Sequence, residues 1–366
     1  MIGEKKLRCC SSWWSIAAGI TLNVLGGFAV ADDAVVTRDG TTVRGTLVSV
    51  SPDSVEIESR SGIKKVSIVD LAELSLDGEP ESLRAARRLL IRRDARGAIG
   101  ELAKIEPEEL KDADPRIREE FEFISLAATA QAATAAEAAG QVKPLADFLR
   151  KNSRSHHAYA GYELLGDILA RQRKYPEAAA AYENLDRGPP ALRIRAASAR
   201  AGLLMQQGKF VEAIKEFEAA EKITSEPNDA ASARQKRESA LGRARCLAQS
   251  GKAAEGIAVS RQAIRDAAVK NGTVQDKDLL AAAFTVLGAC QRAAGGQDED
   301  ARISFLTVDL VYNQLPGAHA EALANLIELW TAANQPERAR EAVQVLTTSY
   351  PDTPWAAKHA GAGKAS

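Results

Sequence analysis

The chain has few aromatic residues and almost no net charge. Phe, Trp and Tyr together make up 5% of its 366 residues, and the formal net charge is -1. A balanced charge gives no general attraction to nucleic acid or to an anionic surface. So few large rings, in a chain rich in Ala, favour thin helical packing with small residues at the contacts over a large aromatic core.

The sequence also lacks the common catalytic and metal-binding motifs. It has no Gly-x-Ser-x-Gly, no Gly-x-x-x-x-Gly-Lys-Ser/Thr, no Cys-x-x-Cys and no His-x-x-x-His. Only four histidines are present, and His156 and His157 stand in a polar turn where we expect them on the surface. The carboxylates are scattered, with no pair in a context that favours acid–base catalysis. We therefore predict no cofactor, no metal site and no enzymatic activity.

A long apolar stretch occurs at the N-terminus. Lys5, Lys6 and Arg8 precede apolar residues 13–31, which end in the small-x-small triplet Ala29-Val30-Ala31. This pattern is typical of a secretory signal, so residues 1–31 are predicted to be a cleaved signal peptide. The alternative is an uncleaved membrane anchor, because the stretch is close to spanning length. In either case the remainder is expected in the periplasm or cell envelope, and any membrane association would be through residues 1–31.

Two cysteines, Cys246 and Cys290, follow the N-terminal segment. They fall at near-equivalent points of successive helical units. Neighbouring helix axes lie roughly 8–10 Å apart, which is farther than the Cα atoms of a disulfide. We predict two buried free thiols.

Residues 32–78 have the pattern of short strands. Alternations such as Val55-Glu-Ile-Glu58 favour half-buried strands, and breaks such as Asp39-Gly40 and Ser51-Pro52-Asp53 favour turns. The segment resembles the small SH3-like or Sm-like barrels, with Gly45 placed where a bent strand turns a corner. The resemblance implies an adaptor module without naming its ligand. The absence of aromatics from residues 34–76 counts against RNA binding.

Residues 79–154 are predicted to be helical, as degenerate repeat-like pairs. We expect one long helix over 116–139, ended by Gly140, and a partner helix over 142–151. Six arginines precede them, and four are spaced four residues apart, so that on a helix the first three of these four line one flank as a basic stripe. We interpret this stripe as a solvated face rather than as an anion site. Its members are Arg84, Arg88, Arg92 and Arg96, with Arg87 and Arg93 beside them.

A repeated helical pattern occupies residues 155–357. Each unit has a first helix with small residues, a short turn, and a second helix that starts near Glu-Ala. One such pair cannot bury its apolar face, so neighbouring pairs must stack. The predicted pairs are 158–172 with 175–185, 191–207 with 210–223, 230–250 with 253–268, 277–293 with 298–312, and 318–333 with 336–349.

These residues resemble the tetratricopeptide repeat family. The matching positions are Gly166, Tyr175, Ala178, Tyr182 and Pro190 in the first unit, Ala201, Gly208, Phe210, Ala213, Phe217 and Ala220 in the second, and Leu326, Trp330, Ala339 and Tyr350-Pro351 in the last. Gly256, Ser260 and the extra turn residue at Gly295-Gly296 depart from the pattern. The resemblance implies a mainly α chain: a right-handed α-solenoid preceded by a small all-β, SH3-like module. Residues 358–366 are predicted to be a disordered tail.

In that family the first helices line the concave surface. By resemblance, the inward positions here are Glu163, Asp167, Arg171, Arg195, Arg245, Gln249, Asn325 and Glu328. Acidic residues stand where the carboxylate-clamp subgroup has Lys and Asn, so we do not expect recognition of C-terminal carboxylates. A mixed polar groove suits an extended peptide or a partner helix.

We therefore predict an exported, non-catalytic scaffold that binds a protein or peptide partner on its concave helical surface and acts in envelope assembly. We expect no nucleic-acid partner. One alternative is a self-assembling structural protein of the envelope that uses the open ends of the solenoid. Another is an accessory subunit of an enzyme complex. We expect Trp330 and Trp355 to cap the last repeat, because terminal repeats must shield the core.

Overall fold

The computed structural model describes residues 33–267, 276–351 and 353–359. The predicted signal peptide or anchor and residues 360–366 of the predicted tail lie outside this range. Within it, no helix is both long enough and apolar enough to cross a membrane.

The β module is an antiparallel sheet in which the last strand returns to the first. Its strand order is β4-β3-β2-β1-β5. Strand β2 bends at a register shift between Leu47 and Ser49. Gly45 fits the corner that was predicted for it, because a Cβ there would lie 1.9 Å from the carbonyl oxygen of Glu58. The strands are β1 (Asp33–Thr37), β2 (Thr42–Val50), β3 (Ser54–Ser59), β4 (Gly62–Ser67) and β5 (Leu71–Ser75).

Helices follow from residue 81 onward. The first six are α1 (Glu81–Ile91), α2 (Ala95–Leu102), α3 (Pro107–Lys111), α4 (Pro115–Ala132), α5 (Ala135–Ala138) and α6 (Val142–Lys151). The next six are α7 (Ala158–Arg171), α8 (Tyr175–Tyr182), α9 (Pro190–Gln206), α10 (Phe210–Glu221), α11 (Ala230–Gln249) and α12 (Ala253–Ala267). The last are α13 (Lys277–Ala294), α14 (Asp298–Val311), α15 (Pro316–Ala332), α16 (Pro336–Ser349) and α17 (Pro354–His359).

The single long helix predicted over 116–139 is wrong. Helix α4 ends at Ala132, and Thr134 starts a new short helix. The Thr134 side chain accepts a hydrogen bond from the backbone of Glu137, whose own side chain accepts from the backbone of Thr134. This reciprocal capping stabilises a new N-terminus more than the Ala-rich composition stabilises a continuous helix.

The predicted helix pairs are confirmed, and glycines mark their closest contacts. A Cβ on Gly166 would lie 2.4 Å from the ring of Tyr182, and one on Gly242 would lie 2.4 Å from the ring of Phe217. A Cβ on Gly288 would lie 2.8 Å from the ring of Phe305. Such small-to-large contacts are how paired helices stack. The chain therefore has a tetratricopeptide-like α-solenoid after its β module.

The β module and the first helices share one hydrophobic core. Val35 and Ile57 of the sheet belong to the same buried cluster as Leu83 of α1 and Phe148 of α6. A hydrogen bond also reaches the solenoid, because the Tyr159 hydroxyl on α7 donates to Asp53 Oδ1 at 3.0 Å. The module is thus packed against the solenoid.

A second large core fills the C-terminal pairs. Trp330 is 7% exposed, and Trp355 packs against the same cluster, as expected of residues that cap the last repeat. Cys246 and Cys290 are buried free thiols, which confirms that prediction. Helix α17 extends to His359, two residues past the predicted end of the solenoid.

Candidate functional site

The inner face is the set of partly exposed side chains on the first helices of successive pairs, α7, α9, α11, α13 and α15. All eight residues predicted from the family resemblance lie on these helices, and none of the eight is fully buried. Cross-helix contacts join most of them. They form two groups, one at each end of the repeat array.

The first group joins α7, α8 and α9. Arg195 Nε lies 2.6 Å from Glu163 Oε1. The Tyr182 hydroxyl donates a 2.6 Å hydrogen bond to Asp167 Oδ1. Partial desolvation raises the pKa of the Glu163 and Asp167 carboxyl groups, although the charge of Arg195 opposes it. Desolvation and the neighbouring carboxylate also raise the pKa of Tyr182.

The second group joins helices that are two pairs apart. Arg245 on α11 makes a two-pronged ion pair with Glu321 on α15, with N–O distances of 2.5 and 2.9 Å. This geometry is the strong, charge-assisted form of a hydrogen bond. The inner face is therefore curved enough for the side chains of α11 to reach α15.

Glu328 on α15 is the centre of the same group. It accepts a 2.8 Å hydrogen bond from Arg292 on α13 and another from Lys358 on α17. Burial opposes ionisation, but these two donors lower the pKa of Glu328. Arg292 also donates to the side-chain oxygen of Asn325.

Two of the predicted residues lie outside these groups. Arg171 donates at 3.1 Å to the carbonyl oxygen of Ala130, so it ties α7 to α4. Gln249 is exposed near the end of α11. The sequence analysis missed Glu321 and Arg292, although Glu321 is four residues before Asn325 and therefore on the same side of its helix.

A turn of the β module also approaches the inner face. The Arg38 guanidinium donates at 2.8 Å to the carbonyl oxygen of Val69. Burial, and then the nearby charges of Arg195 and Arg234, lower the pKa of Arg38. The N-terminal end of the inner face is thus bordered by the β module.

A buried ionic network lies between the β module and the helices, and it corrects the prediction of a wholly solvated arginine stripe. Arg88, Arg92 and Arg96 are exposed as expected, but Arg87 is only 5% exposed. Its guanidinium donates at 2.7 Å to Glu79 Oε2 and at 2.7 Å to Glu120 Oε1. Burial opposes the charge, but these two carboxylates raise the pKa of Arg87 above its ordinary value.

The prediction of surface positions for His156 and His157 is wrong. Their side chains are only 10% and 13% exposed. His157 stacks on Phe123, with ring centroids 3.9 Å apart, and its Nε2 is 2.7 Å from Glu120 Oε2. Their polar sequence surroundings indicated a surface turn, whereas α4 covers this turn and buries both rings.

These two histidines change the electrostatics of the network. Burial opposes ionisation of Glu120, but His157 and Arg87 hold the pKa of that carboxyl far below its usual range. Burial and the neighbouring His157 lower the pKa of His156 to about 3, so its imidazole is neutral at physiological pH.

A cleft of about 470 Å³ opens beside this network. Leu47, Val50 and Leu76 of the β module form its apolar wall. Its polar lining comes from the first turns of α4 and from the turn between α6 and α7, including Arg154 and His156.

No protein-family model matches the chain, and no curated protein matches its sequence. Several solved structures have a similar helix arrangement. The apo form of the quorum sensor NprR from B. thuringiensis is 12% identical, with a TM-score of 0.47 over 72% of this chain and 85% of that one. A Rap protein complexed with competence and sporulation factor is 14% identical, with a TM-score of 0.49 over 75% of this chain and 76% of that one. The C-terminal part of a TPR repeat-containing protein from Cytophaga hutchinsonii is 13% identical, with a TM-score of 0.39 over 75% and 98%.

Proposed function

We propose that the protein is a non-catalytic scaffold that binds an extended peptide or a helix of a protein partner along its inner face. The observation that carries the proposal is that the eight inner-face residues are exposed or partly exposed and yet, for the most part, ordered by contacts between helices. They are accessible to solvent, yet contacts between helices hold most of their charged groups in place. A surface whose side chains are already ordered loses little conformational entropy when a partner binds.

The pattern of charge on this face favours a partner with both polar and charged groups. Acidic side chains dominate at α7, whereas α9 and α11 present Arg195 and Arg245. Each of these arginines forms an ion pair with a carboxylate. A charged group of the partner would therefore have to compete with that carboxylate for the arginine. We therefore expect moderate affinity that weakens with salt.

Site-specific photocrosslinking tests the position of the partner. A photoreactive amino acid replaces Gln249, which is exposed on the inner face, and the control carries it at Lys215, which is exposed on the second helix α10. After irradiation in envelope extract, we expect a crosslinked partner from position 249 and none from position 215. Crosslinking from position 215 alone would overturn the assignment of the inner face.

A charge exchange tests whether the inner-face ion pair matters for binding. Arg245→Glu places two carboxylates together, whereas Arg245→Glu with Glu321→Arg restores an opposite pair in reversed order. We expect the single variant to bind the captured partner at least tenfold more weakly. The double variant should recover the stability of the wild type but not its affinity for the partner, because the positive and the negative side chain have exchanged positions. Unchanged affinity in both would count against the inner face.

Self-assembly is the second candidate, and exposed apolar residues on α14 favour it. Ile303 is 56% exposed and Leu310 is 72% exposed, and they lie two turns apart on one side of the helix. Sedimentation of the wild type and of Leu310→Glu distinguishes the candidates. A wild-type oligomer that dissociates in the variant supports self-assembly, whereas two monomers support the scaffold.

Export is part of the proposal, because the basic start, the apolar stretch and Ala29-Val30-Ala31 are typical of a secretory signal. In envelope assembly, such a scaffold would hold its partner outside the cytoplasm. Intact mass and N-terminal sequencing of the native protein test this. We expect a mature chain that begins at Asp32, and a full-length chain in the soluble cell fraction would contradict export.

A further inference from the structure

Three potential metal ligands meet where α4 passes beneath the turn between α6 and α7. His157 Nε2 is 2.7 Å from Glu120 Oε2, and His156 Nε2 is 3.5 Å from the same oxygen. The two imidazole rings are also close, with centroids 3.8 Å apart. All three ligand atoms lie within 4.8 Å of one another.

We propose that Glu120, His156 and His157 form a binding site for a divalent transition-metal ion of the zinc class. Two imidazole nitrogens and one carboxylate oxygen are a donor set that Zn²⁺ commonly takes. An ion at about 2.0–2.1 Å from each donor needs donor atoms roughly 3.3 Å apart. The 2.7 Å contact must therefore open by roughly half an ångström, and the 3.5 Å contact must close slightly.

The surroundings of Glu120 hold its carboxylate in place for such an ion. Its other oxygen, Oε1, accepts a 2.7 Å hydrogen bond from Arg87. Arg87 also donates at 2.7 and 3.3 Å to Glu79, whose buried side chain accepts from Arg84 as well. Arg87 therefore acts as an orienting group behind Glu120, and it leaves Oε2 of that carboxylate directed at the histidines.

His157 is also positioned by contacts other than the carboxylate. His157 stacks on Phe123, and its backbone N–H donates at 3.0 Å to the side chain of Ser155, which is 4% exposed. Among the residues that the structure describes, the His156 ring has one polar contact, the 3.5 Å approach to Glu120, which is at the outer limit of a hydrogen bond. An ion between the rings would give the His156 nitrogen a stronger partner.

The cleft gives the ion a route from solvent. His156 lies on its wall, beside Ser153 and Arg154. Three protein ligands and an open side leave a fourth position for water or for an anionic group that enters the cleft. An isolated turn on the surface would not supply this combination of buried donors and access.

Metal titration of the full chain tests the proposal. The protein is stripped with a chelator and titrated with Zn²⁺ in a calorimeter, and bound metal is counted by mass spectrometry. We expect one equivalent for the wild type and at least tenfold weaker binding for His156→Gln and His157→Gln. His319→Gln is the matched control, since His319 contacts a carboxylate, that of Asp309, at 2.7 Å. Wild-type protein without stoichiometric binding, or His156→Gln with unchanged affinity, would overturn the site.

A second measurement on the wild type keeps the test valid if a variant fails to fold. Nitrogen NMR of the four imidazole rings reports which of them bind Zn²⁺. We expect the ring signals of His156 and His157 to move and those of His319 and His359 to stay. Co²⁺ in place of Zn²⁺ should give the visible absorption of a four-coordinate nitrogen–oxygen site. Thiolate charge-transfer absorption would instead assign the metal to a cysteine and contradict the proposal.

Discussion

The Tyr159 hydroxyl on α7 donates a 3.0 Å hydrogen bond to Asp53 Oδ1, in the turn between β2 and β3. These residues are 106 positions apart in the chain, and their contact joins the β module to the first solenoid helix. Burial, with help from the carboxylate, raises the pKa of Tyr159 to about 12. Ile68 and Val69 pack against the hydrophobic cluster that includes this tyrosine, so the junction is both polar and apolar.

Tyr159→Phe removes only the hydroxyl from this junction. We expect the free energy of unfolding to fall by about 1 kcal/mol, the usual net value of such a hydrogen bond. Urea denaturation measures it. Tyr162→Phe is the control, because Tyr162 is on the same helix and packs on the same cluster without contacting Asp53. If Tyr162→Phe lowers the free energy of unfolding as much as Tyr159→Phe does, the loss does not come from the hydrogen bond to Asp53.

Gly166→Ala and Gly202→Ala should change stability in opposite directions. A Cβ at Gly166 would lie 2.4 Å from the Tyr182 ring, whereas a Cβ at Gly202 meets nothing within 4 Å. We expect a loss of about 1–3 kcal/mol for the first, from overpacking. The second should gain up to about 1 kcal/mol from helix propensity. Thermal and urea unfolding check both, and equal effects would contradict the close contact of α7 and α8.

Arg87→Met and Arg88→Met separate the buried arginine from its exposed neighbour. Loss of Arg87 removes an ion pair from each of two buried carboxylates, so that Glu79 keeps only its contact with Arg84 and Glu120 only its contacts with the two histidines. We expect a cost of up to about 3–5 kcal/mol. Arg88 is 55% exposed and its side chain lies 3.4 Å from Glu73, so its loss should cost less than about 1 kcal/mol. Denaturant titration measures the difference. Similar costs would mean that the Arg87 network is not buried in solution.

The thiols of Cys246 and Cys290 should be inert in the folded protein. Burial raises the pKa of both thiols to about 11, from 9.0. The unfolded chain therefore loses these protons first, and the free energy of unfolding should fall as pH rises from about 9 to about 11. Peptide-resolved alkylation at pH 8 should be at least tenfold slower in the folded state than in urea. Comparable rates in both states would show that one of these helices opens readily.

Sequence patterns predicted the repeat array because its determinants are local. Small residues such as Gly166 recur at fixed spacing, and the ring that fills the gap, Tyr182, follows one helix later in the same unit. The β module was predictable for the same reason, since alternation and turn residues fix its strands.

Contacts across the fold were not predictable in the same way. Arg245 and Glu321 are 76 positions apart, and their contact depends on the curvature of the whole array. His157 and Glu120 are 37 positions apart, and metal-ligand spacing rules do not cover two adjacent histidines with a distant carboxylate. Local polarity indicated a surface turn there, but tertiary packing buried it.

The Arg245–Glu321 ion pair has a consequence for how the array unfolds. In an ideal solenoid each repeat contacts only its neighbours, so stability is a sum of single-repeat and nearest-neighbour terms. Here α11 and α15 are linked across the intervening pair. The C-terminal three pairs should therefore melt as one cooperative block rather than fray one repeat at a time from the end.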